Sequence, residues 1–222
     1  MPDFTRSATA ARPYADERSI STAQLLGQVM FLVAIAIGFL VVGTAIGRDL
    51  SIGTARLCSF AGFGMLLVAS FAGERFRVGT FAMGWLFATA LMIGLGLGPV
   101  IAYFASVEPD ALTQAAGGTA LTVAATGSLG FALSKDLARW MRPLSFIVFG
   151  LVIVSLVMVL AGGGGNPILS GAIALFSAAL IVVDFNFLRK HGTQDHAVML
   201  ATGIFVSIVN IFISLLNIFS DR

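Results

Sequence analysis

The chain has 222 residues, 58% hydrophobic and 11% charged, with a mean hydropathy of +0.97. So little charge cannot cover a water-soluble globule of this length, which excludes a soluble enzyme or binding domain. A net charge of +2, with pI near 9.1, sits in the links between apolar runs. It reflects loop asymmetry rather than a nucleic-acid surface, and no nucleic-acid partner is expected.

Residues 1–23 are polar, mix three basic with three acidic residues, and lack the short basic start of a secretory signal. They read as a cytoplasmic tail, and residues 24–220 as one transmembrane domain. Charge-free stretches follow at Ser19 to Gly47, Leu57 to Gly73, Val78 to Val107, Ala111 to Ser134, Pro143 to Val183 and Ala197 to Ser220. Lipid offers no partner for an unpaired peptide group, so each stretch must cross as a helix. These continuous runs lack the alternation of a membrane barrel.

The run from Pro143 to Val183 holds 41 residues. At about 1.5 Å per helical residue this is twice a hydrocarbon thickness of ~30 Å, so it is two helices. Gly162, Gly163, Gly164, Gly165, Asn166 and Pro167 divide it with a tight turn, making an antiparallel hairpin. The expected fold class is therefore all-α: a polytopic membrane protein with seven transmembrane helices, near 24–46, 57–73, 79–102, 112–134, 144–161, 168–189 and 197–219.

Orientation follows from Lys and Arg, which stay on the cytoplasmic side during insertion. With the N-terminus inside, ten of the thirteen fall on inner segments; only Arg48, Arg56 and Arg222 fall outside. The C-terminus is then external, and Trp140 is an inner interfacial anchor.

Within the third span, Gly94 and Gly98 have the GxxxG spacing that lets another backbone approach closely. Pro99 removes a backbone donor and frees the Leu95 carbonyl, so the helix is expected to kink or end there. Cys58 allows no internal disulfide and reads as a small packing residue. The sequence offers no catalytic constellation: Ser128, in Gly127-Ser128-Leu129-Gly130, has no histidine within reach in the membrane, and no enzyme activity is expected. His191, Asp195 and His196 share a short polar loop and read as solvated rather than as a metal site. No cofactor is expected.

The ionisable residue that stands out is Asp184, which closes the longest apolar run. An acid at such a place suggests an ion or proton site. Its position five and six residues before Arg189 and Lys190 fits a structural ion pair equally well. Asn186, Ser207, Asn210, Ser214 and Asn217 are polar groups that could receive it or join helices. Asn210, Ser214 and Asn217 share one face of the last helix through spacings of four and three.

Five motifs carry a family resemblance. They are Gly94-Leu-Gly-Leu-Gly98-Pro99, Ala116-Gly-Gly-Thr-Ala120, Leu133-Ser-Lys-Asp-Leu137, Val183-Asp-Phe-Asn186 and Val206-Ser-Ile-Val-Asn-Ile-Phe-Ile-Ser-Leu-Leu216. In this order on seven spans, the chain resembles the Bax inhibitor-1 (TMBIM) family, and within it the bacterial YccA-like branch. The resemblance implies six helices around a central seventh, in a bacterial inner membrane. It implies one of two functions. Some relatives are pH-sensitive calcium leaks in which acids of the sixth and seventh helices share a proton, since two close carboxylates cannot both be ionised cheaply. Asp184 matches the first acid, and Ser207 stands at the second. YccA-like relatives instead modulate the membrane protease FtsH through a cytoplasmic tail. The tail and Ser207 match that branch, so protease modulation is the favoured expectation and calcium enters only as a transported ion of the alternative. The candidate ion or proton site is Asp184, Ser207 and Asn210.

Overall fold

The structure is a computed structural model that describes residues 20–160 and 165–220. Most of the 1–23 tail, the Gly162 to Gly164 part of the turn and Asp221 lie outside the described residues. Seven long helices account for the fold: α1 (Thr22–Gly47), α2 (Ile52–Phe71), α3 (Gly79–Val107), α4 (Pro109–Ala132), α5 (Ala138–Leu160), α6 (Pro167–His191) and α7 (Ala197–Phe219). Local chemistry starts them where they start. Ser21 accepts from the Gln24 amide while the Gln24 side chain accepts from the Ser21 amide, so two orphan donors of α1 are satisfied at once. Asn166 accepts from the amides of Ile168 and Leu169, with Pro167 pre-shaped for the first turn of α6.

Six of the helices are long and apolar enough to cross a membrane; α4 is long enough but more polar. Its threonines explain how it is tolerated. The hydroxyls of Thr113, Thr119, Thr122 and Thr126 each donate to the carbonyl four residues back, so they are satisfied within the helix. α2 begins five residues before its expected start and takes in Arg56, and α5 begins six residues early, with Pro143 inside it. Both extensions lie at helix ends, where long side chains such as Arg56, Arg139 and Arg142 reach out of the hydrocarbon. Pro143, the sixth residue of α5, leaves the Arg139 carbonyl without its helical donor.

Glycine builds the first half of the bundle. A Cβ at Gly94 would collide with the Leu40 carbonyl and Gly43 of α1, one at Gly43 with the Leu91 carbonyl, and one at Gly98 with the Gly47 backbone. Paired GxxxG faces thus bring α1 and α3 into backbone contact. Gly96, on the opposite side of α3, meets Ala55 and Ser59 of α2 in the same way. Of the kink or end expected at Pro99, the end is corrected: the helix contains Pro99 and runs past its expected limit near 102, to Val107. Packing of Gly98 on Gly47 holds the turn through which the proline passes.

α7 carries the largest set of buried side chains, including Leu200, Ala201, Ile204, Phe205, Ser207 and Ile211, and packs against α6, α4, α1 and α3. It is the central element. α2 and α5 stand outside this inner group, against α3 and α6 respectively. The end of α4 and the starts of α1, α5 and α7 gather at the end of α6. That end carries Lys135, Arg139, Arg142, Arg189 and Lys190 and is called the basic end below.

Replacement of Gly98 by Val places two methyls where no Cβ fits. We expect Gly98→Val to reduce the yield of folded protein in detergent severely. The matched change Gly84→Val, where a Cβ meets nothing within 4 Å, should leave yield near native. Equal yields, read by size-exclusion chromatography, would contradict the glycine seam.

Candidate functional site

Asp184 lies on α6, seven residues before its last, and its side chain points at α7. Only 5% of it is exposed. A Cβ added to Gly203 of α7 would lie 3.2 Å from its Oδ2, so the glycine leaves the carboxyl its room. Among the described residues no hydrogen bond and no ion pair reaches this carboxyl. The helices packed on α6 offer it no charge. α1 and α7 contain no acid or base within their spans, α4 carries only Asp110 in its first turn, and α5 carries Arg139 and Arg142 at its start.

The basic residues that follow Asp184 are committed elsewhere. Asn186, fully buried, donates to the carbonyls of Gly130 (3.2 Å) and Leu133 (3.1 Å) and accepts from the Leu137 amide (3.0 Å). It closes the end of α4 and ties down the link to α5. Arg189 donates to the Leu133 carbonyl and Lys190 to the Ser134 carbonyl, so three α6 side chains satisfy the orphan acceptors of α4. Asn186 therefore serves the α4–α6 contact and does not receive Asp184, and the structural ion pair weighed for Asp184 does not form among the described residues.

Of the residues singled out from sequence, Ser207 and Asn210 lie on α7 one and two turns beyond Gly203, the first buried and the second partly so. Gly94, Gly98 and Pro99 lie apart, in the α1–α3 seam. Two others on α6 join the group. Ser170 accepts a hydrogen bond from Asn217 Nδ2, and Ser177 is fully buried with a hydroxyl that has no partner among the described residues. Their signal was present in the sequence: Ser170, Ser177, Asp184 and His191 recur every seven residues, which keeps them on one helix face.

At the basic end His191 Nε2 lies 2.6 Å from Asp136 Oδ2. Asp136 also accepts from the Ala138 amide (2.9 Å). That amide, then the His191 side chain, hold its carboxyl below the ordinary 3.8. His196 Nδ1 is engaged with Thr193 at 3.0 Å. Among the described residues no three of His, Cys, Asp and Glu converge as metal ligands.

A family model described as "Inhibitor of apoptosis-promoting Bax1" matches residues 22–222, from the first residue of α1 onward. The chain belongs to the Bax inhibitor-1 family. In this member the acid of the sixth helix faces a glycine, and no second acid lies on α7 to meet it.

Two outcomes follow for the basic end. Asn186→Ala removes three hydrogen bonds and leaves buried peptide groups unpaired, which should lower stability by about 1–3 kcal/mol. Unfolding in mixed micelles measures this, and a loss within error of zero would contradict the capping role. Because the Asp136 carboxyl is depressed, its contribution is present above pH 3.8 and is lost as pH falls through its lower folded value. The fluorescence of Trp140, whose amide bonds to the Leu137 carbonyl of the same link, should thus change only in that acidic window. A change near neutral pH would contradict it.

Proposed function

We propose that this membrane protein is a proton-sensitive cation leak, with the Asp184 carboxyl as its ion and proton site. One observation carries the reading: an acid inside the helix bundle, 5% exposed, without a hydrogen bond or counter-ion among the described residues. Removing a carboxylate from water costs several kcal/mol when nothing compensates. An arrangement that served packing alone would be better met by a neutral residue. A site that takes up a proton or a passing cation uses that same lack of a partner.

The chemistry sets the character of the leak. Calcium, the ion to which the family resemblance points, prefers six to eight oxygen ligands. One carboxyl, with the Ser207 hydroxyl one turn and the Asn210 amide two turns further along α7, supplies too few to hold it. Such a site passes a cation rather than storing it, and a proton on Asp184 competes directly. We place the basic end in the cytoplasm, because ten of thirteen Lys and Arg lie on segments of that side. The N-terminus is then cytoplasmic and the C-terminus external, in a bacterial plasma membrane.

A second reading rests on Ser207, which cannot ionise, and on the polar tail at residues 1–23. Both match YccA-like modulators of the protease FtsH, for which the tail would be the handle met by a cytosolic unfolding motor. Such a protein need conduct nothing.

Flux of calcium and protons in proteoliposomes separates the two. We expect Asp184→Asn, which keeps volume and hydrogen-bonding capacity, to abolish the pH dependence with little loss of folded protein. Ser207→Asp should create a shared-proton pair and move the response toward neutral pH. A pH response unchanged in both variants would assign Asp184 to packing. Loss of any effect on FtsH clients when the tail is deleted would then favour the second reading.

A further inference from the structure

The contact between α6 and α7 has a fixed register. Asp184 meets Gly203, and Ser170 is bonded by Asn217. Fourteen residues separate the first members of these pairs on α6, and fourteen separate the second members on α7. The helices run antiparallel and pack along their length, so the midpoints, Ser177 and Asn210, stand at the same level. Seven residues keep each midpoint on the face that makes the two outer contacts, with a drift of only ~20°. Ser177, whose buried hydroxyl has no partner among the described residues, therefore stands on the seam at the level of Asn210.

Along α7 the polar positions in this seam are Ser207, Asn210, Ser214 and Asn217, at spacings of three and four. The corresponding rise is about 4.5–6 Å per step. One water making two ordinary hydrogen bonds spans such a step. From the Asp184 level to Asn217 the track is about 21 Å long, two thirds of the hydrocarbon thickness. Toward the basic end, leucines close the stretch between Asp184 and His191, which shares the α6 face and is engaged by Asp136. Leu188 and Leu200 are each 1% exposed, and the Thr202 hydroxyl is spent on the Val198 carbonyl.

We infer that the α6–α7 seam is a one-sided proton path, joining the surface opposite the basic end to Asp184 through Ser170, Ser177 and Asn210, and closed toward the basic end. The inference rests on the reading of Asp184 as a titrating site and adds the side from which it titrates. Each serine hydroxyl or bridging water accepts one proton and releases another, and the last proton ends on the Asp184 carboxylate. The amides of Asn210 and Asn217 hold the waters in line, donating through Nδ2 and accepting through Oδ1. Neutral hydroxyls and amides suit a proton. They supply no charge to strip water from a divalent cation, which must reach Asp184 another way.

The test uses the full chain in proteoliposomes of determined orientation. The infrared carboxyl band of Asp184, assigned by its absence in Asp184→Asn, is followed after an acid pulse on either side. We expect protonation to be fast from the side opposite the basic end and slow from the basic end. Ser177→Ala and Asn210→Leu should slow the fast arm by about tenfold, the effect of losing one ordinary hydrogen-bonded station. Ser177→Thr, which retains the hydroxyl, should stay near native, so a packing effect alone is separated from a relay. Equal rates in native, Ser177→Ala and Ser177→Thr proteins, or faster protonation from the basic end, would overturn the path while leaving Asp184 as a site. An Asp184 band that never titrates in the native protein would overturn both.

Discussion

Lipid supplies no hydrogen-bond partner, and that one constraint decides where every polar side chain of this bundle can stand. Threonines of α4 turn back on their own helix, and Asn186, Arg189 and Lys190 spend their donors on the exposed carbonyls at the end of α4. What remains is the seam between α6 and α7. There a carboxyl, serine hydroxyls and asparagine amides face one another along a shared face. Most polar groups of the described residues are satisfied so locally, while the Asp184 carboxyl and the Ser177 hydroxyl have no partner among them; in the function we propose, that position is reserved for a proton or a passing cation.

Close packing elsewhere makes the reservation possible. The α1–α3 glycine seam and the insertion of Gly130 against the backbone of α6 draw helices together without side chains between them. Asn186 then sets the height and rotation of α6 relative to α4. With α6 fixed on that side, Asp184, two positions earlier, is turned toward α7. The glycine at 203 leaves the carboxyl room there: a methyl at that point would lie 3.2 Å from Oδ2, close enough that the carboxyl would have to shift.

Much of the fold was legible from charge alone. Six charge-free segments, one of them long enough for two spans, give seven helices, and the centrality expected for the last helix agrees with its many buried side chains. The helix limits were less legible, because Arg56, Pro143 and Pro99 read as breaks while their cost falls near helix ends or is met by tight packing. Asp184 stood out as the acid at the end of a long apolar run. Its neighbours did not: Asn186, two residues away, faces another helix, whereas Ser177 and Ser170, a full heptad and two heptads away, share its face. Linear proximity misled, and period seven was the signal. The pairing of Asp136 with His191 across 55 residues had no local signature at all.

The register of α6 against α7 is the claim on which the functional account stands, and cross-linking measures it directly. In an otherwise cysteine-free chain, with Cys58 replaced by alanine, cysteines at Ser177 and Asn210 should join through a short thiol-specific cross-linker. A pair at Ser177 and the lipid-exposed Ile213 should not. Efficient joining of 177 with 213, and none with 210, would mean that the polar faces do not meet and would contradict the account.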